Sequence, residues 1–68
     1  MWIAEMELSI MSVNILQKAG VWLLDDVIEM MENNPAKITL ALAEIKPADF
    51  IELTEVMKNR TRNVLYNP

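Results

Sequence analysis

The densest group of side chains able to do chemistry is acidic: Asp25-Asp26-x-x-Glu29, with Glu32 one turn further on. Carboxylates at helical spacing offer hard oxygen ligands to magnesium or calcium. They equally make a solvated polar face, at the small cost of like charges at i and i+4. The second reading is the simpler, so no metal and no cofactor is expected, and the cluster serves solubility or a basic partner. A second group, Lys58-x-Arg60-x-Arg62, suits phosphate. Three bases without interleaved aromatics or a glycine-rich loop are a sparse nucleic-acid surface, and dipole complement plus surface charge explains them as well. Ser9 and Ser12 have no histidine to activate them, because the chain contains neither histidine nor cysteine. That removes the commonest general base and the imidazole and thiolate metal sites. No nucleophile–base pair can be drawn, and the chain reads as non-catalytic.

Four helices are expected to position these residues. The most strongly patterned stretch is Val21 to Pro35. On a helical wheel Leu23, Val27 and Met30 form one apolar row, and Val21, Leu24, Ile28 and Met31 form the next. Asp25, Asp26, Glu29 and Glu32 take the other side. An apolar arc wider than ~100° needs cover on two sides, so a helix over 21–33 is expected at the centre. Residues 2–19 read as a first helix with two stripes, Leu8, Met11, Ile15 and Ala19 against Met6, Ile10 and Val13. Gly20 is the only glycine. It suits a left-handed C-cap better than a hinge. One long helix over 2–33 is the alternative, since an interior glycine costs only about 1 kcal/mol.

Asn34 and Pro35 mark the cap and first position of a third helix, 35–45. Lys46-Pro47 breaks it. A fourth helix follows over 48–65, with Asp49 near the positive end of its dipole. Phe50, Leu53, Met57 and Val64 form its expected buried stripe.

A chain of 68 residues makes one domain at most, read here as a single helical domain over 1–68. A core this small rarely yields more than ~3–5 kcal/mol. Disulfides and thiolate metal sites are excluded, so a partner chain is the expected remedy. The composition agrees, because 53% of the residues are hydrophobic. The longest uncharged run, Leu8 to Gln17, falls well short of the ~20 residues of a membrane span. Glu5 and Glu7 stand where a signal peptide would be basic. The chain is expected to be cytoplasmic, without a membrane span. The net charge of −4 argues against a general nucleic-acid binder.

Six methionines and two tryptophans suit a contact surface, since methionine adapts to varied partners and tryptophan is enriched at interfaces. Met6 and Met11 lie on the stripes of the first helix, and Met30 and Met31 on the widest apolar face. Trp22 falls among the acids, either as a contact residue or packed near the Gly20 bend. Ile3-Ala4, Met6, Leu8, Gln17 and Gly20-Val21-x-Leu23-Leu24-x-x-x-Ile28-Glu29 resemble the order of residues in a family of very short bacterial putative motility proteins. The resemblance covers residues 3–29. Asp25-Asp26 replaces positions usually basic there, and nothing from Pro35 onward has a counterpart. It implies a small helical protein with a link to motility and no catalytic residues.

The expectation is an all-α bundle of four helices, completed by self-association as a homodimer through the apolar sides of its first two helices. Its function would be that of a regulator, adaptor or inhibitor docking a protein partner. The expected interface comprises Leu8, Met11, Ile15, Trp22, Leu23, Val27, Met30 and Met31. The alternative is a small nucleic-acid-binding regulator using the basic end of the last helix.

Overall fold

Ser9 sets the start of the first helix. In the computed structural model, which describes the backbone of residues 1–66 and the side chains of residues 1–59, the Ser9 backbone is extended (φ −64°, ψ 152°). Its Oγ accepts from the Ser12 N–H at 3.3 Å. Helix α1 therefore spans Ile10–Lys18, not 2–19 as the two stripes suggested. Upstream, Trp2 forms an isolated antiparallel bridge with Leu23. The Ile3 N–H donates to the Trp22 carbonyl at 2.8 Å, and the Leu24 N–H to the Met1 carbonyl at 2.9 Å. A 3-10 turn over Ile3–Glu5 follows, and Ile3 and Met6 are buried. Met6, Glu7 and Leu8 favour a helix locally, but only by tenths of a kcal/mol each. Burying one isoleucine side chain is worth ~1.5–3 kcal/mol, so the tertiary pairing wins.

The same bridge delays the next element. Leu23 is extended (φ −111°, ψ 154°), and helix α2 spans Leu24–Asn33 rather than 21–33. Between the two helices the chain turns on Gly20, at φ +95°. The Gly20 N–H donates to the Gln17 carbonyl at 3.0 Å and the Val21 N–H to the Leu16 carbonyl at 2.8 Å. This is a Schellman cap, with Leu16 and Val21 both buried in the core. The glycine is a cap, and the long helix over 2–33 does not form.

Helix α3 spans Pro35–Glu44 and α4 spans Pro47–Tyr66, each within about a residue of expectation. Asn34 ends α2 and precedes α3, but its side chain makes no capping hydrogen bond. The break is instead set by Pro35, whose ring lacks the N–H that a continuing helix would need.

Ile3, Leu16, Val21, Leu24, Val27, Ile38, Ala41, Ile45 and Leu53 form the core together with Met6. Helix α3 packs against both α1 and α2, so it is α3, not α2, that the other two share. The fold is all-α. Among the described residues there is no strand beyond the single bridge, and no helix is long and apolar enough to cross a membrane.

Candidate interaction surface

The polar group with the most geometry joins residues that the sequence placed apart, Ser9 and Ser12 with Asp49. Asp49 sits in the first turn of α4 and is buried, as is Ser12. Ser12 Oγ donates to Asp49 Oδ2 at 2.5 Å, and Ser9 Oγ donates to the same oxygen at 2.7 Å. The Ser9 N–H reaches both carboxylate oxygens, at 3.3 and 3.4 Å. Ser12 Oγ in turn accepts from the Lys46 N–H at 3.3 Å. The Ser12 and Ser9 hydroxyls hold the Asp49 pKa below the ordinary carboxylate value; partial desolvation opposes them, and the Ser9 N–H and Lys46 add to the lowering. A carboxylate whose pKa is lowered is a weaker base than a free one. Its role is mechanical: one charge joins the N-termini of α1 and α4, where both helix dipoles favour an anion. The signal was half visible, since S-x-x-S and Pro-Ala-Asp are both helix-start patterns. Their pairing across 37 to 40 residues was not.

The acidic cluster of α2 divides in use. The Asp26 carboxylate turns back on its own helix start, accepting from the Trp22 N–H at 3.0 Å and the Leu23 N–H at 2.9 Å. Those backbone bonds, Leu23 first, lower its pKa, against slight desolvation. Asp26 is thus a helix-start acceptor. Among the described residues no group of three or more carboxylates is placed to hold a metal ion. Of the basic group, Lys58 is exposed. The side chains of Arg60 and Arg62, like that of Val64, lie outside the described residues.

The residues expected at an interface separate by depth. Val27 is fully buried in the chain's own core, so it has no surface to offer. Leu8, Ile15, Leu23 and Met30 are half-buried, and Leu8, Ile15 and Met30 pack on that core. Met11, Trp22 and Met31 stay about half exposed. The apolar sides of α1 and α2 are thus largely spent on α3, and a Met/Trp remnant is left outside.

A further apolar feature lies elsewhere. Thr39, Leu42, Ala43, Ile45, Pro47, Phe50 and Ile51 line an open groove of ≈ 670 Å³ between α3 and α4. Phe50, expected in the buried stripe of the last helix, stands partly exposed on it, whereas Leu53 is buried. The groove follows from the break at Lys46-Pro47. Its lining spans that break, with Ile45 on one side and Pro47 on the other, and includes the small side chains of Thr39 and Ala43.

Fold and surface together define a class: a small all-α bundle with substantial apolar surface outside its core. No protein family, no curated protein and no solved structure matches the chain.

Proposed function

We propose that this chain is a small cytoplasmic protein-interaction module, a regulator, adaptor or inhibitor, that self-associates and docks a protein partner. The carrying observation is the set of large apolar side chains left at the surface: Met1, Trp2, Ile10, Met11, Trp22, Met31, Leu40, Phe50 and Ile51. Where such side chains lie together on a small protein they mark a contact site. The surface we assign to the partner comprises Met11 on α1, Trp22 just before α2, and Met31 on α2. Asp25, Glu29 and Glu32 are exposed on the same helix as Met31, which suits an amphipathic segment bearing lysine or arginine. A role in motility rests on the resemblance over residues 3–29.

Light scattering coupled to size exclusion tests the self-association. The expected mass at micromolar concentration is a multiple of 7.8 kDa, and a well-folded monomer there would sink that half of the proposal. Capture experiments in the native host test the docking. Proteins retained by the wild-type chain are expected to be lost with Trp22→Ser and Met31→Glu. A capture profile unchanged by both substitutions removes the Met/Trp surface from consideration.

A further inference from the structure

We propose that two copies of this chain exchange residues 1–6, each laying its Trp2–Ile3 segment beside Trp22–Leu24 of the other. This rests on the self-association proposed above and gives it a mechanism.

Three observations carry it. The first is the seat. The Leu24 N–H opens α2 and has no acceptor within its own helix, and Leu23, at the cap position, supplies no side-chain acceptor. The Met1 carbonyl takes that N–H at 2.9 Å, and the Ile3 N–H donates to the Trp22 carbonyl at 2.8 Å. Ile3 and Met6 are buried in the core. An empty seat would leave a backbone donor unpaired and a hole in the core. The seat must therefore be filled, and the same six residues of a second copy fill it equally well.

The second is the attachment. Residues 1–6 belong to no α-helix of the bundle. They are held by those two backbone bonds and by the burial of Ile3 and Met6, while Met1, Trp2, Ala4 and Glu5 are exposed. Glu7 and Leu8 alone separate them from the Ser9 cap of α1, and Met6 and Ser9 are both extended (ψ 159° and 152°). Straightening the bend at Met6 and Glu7 carries the segment outward and leaves α1 intact.

The third is what the closed form leaves outside. Ile10, just past this joint in the first turn of α1, is 81% exposed, and Trp2 and Met11 are about half exposed. In a reciprocal exchange the two joints run side by side at the twofold axis, which brings these side chains of the two copies together. Each copy gives one segment and receives one, so both seats are filled and the assembly closes.

The chain contains no cysteine, which permits a clean test. Trp2 and Leu23 face each other as a non-hydrogen-bonded antiparallel pair. The Cα atoms of such a pair stand about 4.5 Å apart, within the span of about 4.4–6.8 Å that a disulfide bridges. The Trp2→Cys, Leu23→Cys double variant is oxidised over a concentration series and its denatured, unreduced mass is read. Exchange predicts chains joined in pairs at twice 7.8 kDa, in step with the dimer fraction that light scattering gives for the wild type. A closed chain predicts a disulfide within each copy, at 7.8 kDa whatever the concentration. A second reading needs no substitution. A mixture of isotope-labelled and unlabelled wild type is expected to show a nuclear Overhauser contact between the Trp2 and Leu23 α-protons of different copies. A wild-type dimer whose disulfides and α-proton contacts all stay within one chain overturns the exchange alone. A wild-type monomer overturns it together with the self-association.

Discussion

Asp49 and Gly20 each hold a junction that no neighbouring residue can replace. Asp49 receives both serine hydroxyls of the α1 start, and its pKa is lowered in the folded chain. In the unfolded chain it returns to about 3.9. A depressed folded pKa contributes stability that is fully present above the unfolded value and is lost as pH falls through the folded one. Asp26 acts in the same direction. The thermal midpoint should therefore hold steady near neutral pH and drop as pH falls below about 4. Asp49→Asn should lower it at neutral pH and flatten the acid limb, read by circular dichroism melts across pH. An unchanged acid limb in Asp49→Asn would rule out this carboxylate as a pin. At Gly20 nothing lies within 4 Å of where a Cβ would sit, so Gly20→Ala meets no clash. The left-handed conformation alone should then cost ~1–2 kcal/mol, measured by urea unfolding, and Gly20→Asn should cost less. The glycine's role as a cap was legible because it depends on a local backbone preference.

Helix starts proved harder to read than helix ends. Stripes at helical spacing over Met6 to Ala19 matched a helix beginning at residue 2, yet the chain is extended at Ser9 and bridged at Trp2. Periodicity shows which residues face inward once a helix exists; it does not fix the turn at which the helix begins. Ser9 is the N-cap, and Ser9→Ala should cost at least ~1 kcal/mol, with a matching loss of helical ellipticity on mild heating. An equal melting profile for the two chains would show that Ile10–Lys18 needs no cap. Pro35 and Pro47 were legible as breaks, since their rings act on the adjacent backbone whatever the rest of the fold does.

The whole molecule lives on a narrow margin. Leu16 is buried between the Gly20 cap and α3's neighbours in the core. Leu16→Ala should cost ~2–5 kcal/mol, comparable to the ~3–5 kcal/mol that a core of this size supplies. Most of that variant should be unfolded at room temperature, as circular dichroism would show. The proposed self-association would add stability by mass action, so on that proposal the wild-type thermal midpoint climbs with protein concentration; a midpoint independent of concentration would speak against a coupled dimer. By itself the sequence determined the all-α class, the breaks at Gly20, Pro35 and Pro47, the absence of histidine and cysteine chemistry, and the wide apolar face of α2. Each of these depends on residue type or on spacing within one or two turns. Only the tertiary structure decided that Trp2–Ile3 would pair beside Leu23, that Asp49 would meet Ser9 and Ser12, that α3 would be shared by α1 and α2, and that an apolar groove would open between α3 and α4. Those outcomes join residues far apart in the chain, where burial and hydrogen bonding between segments outweigh the small local preferences that a sequence displays.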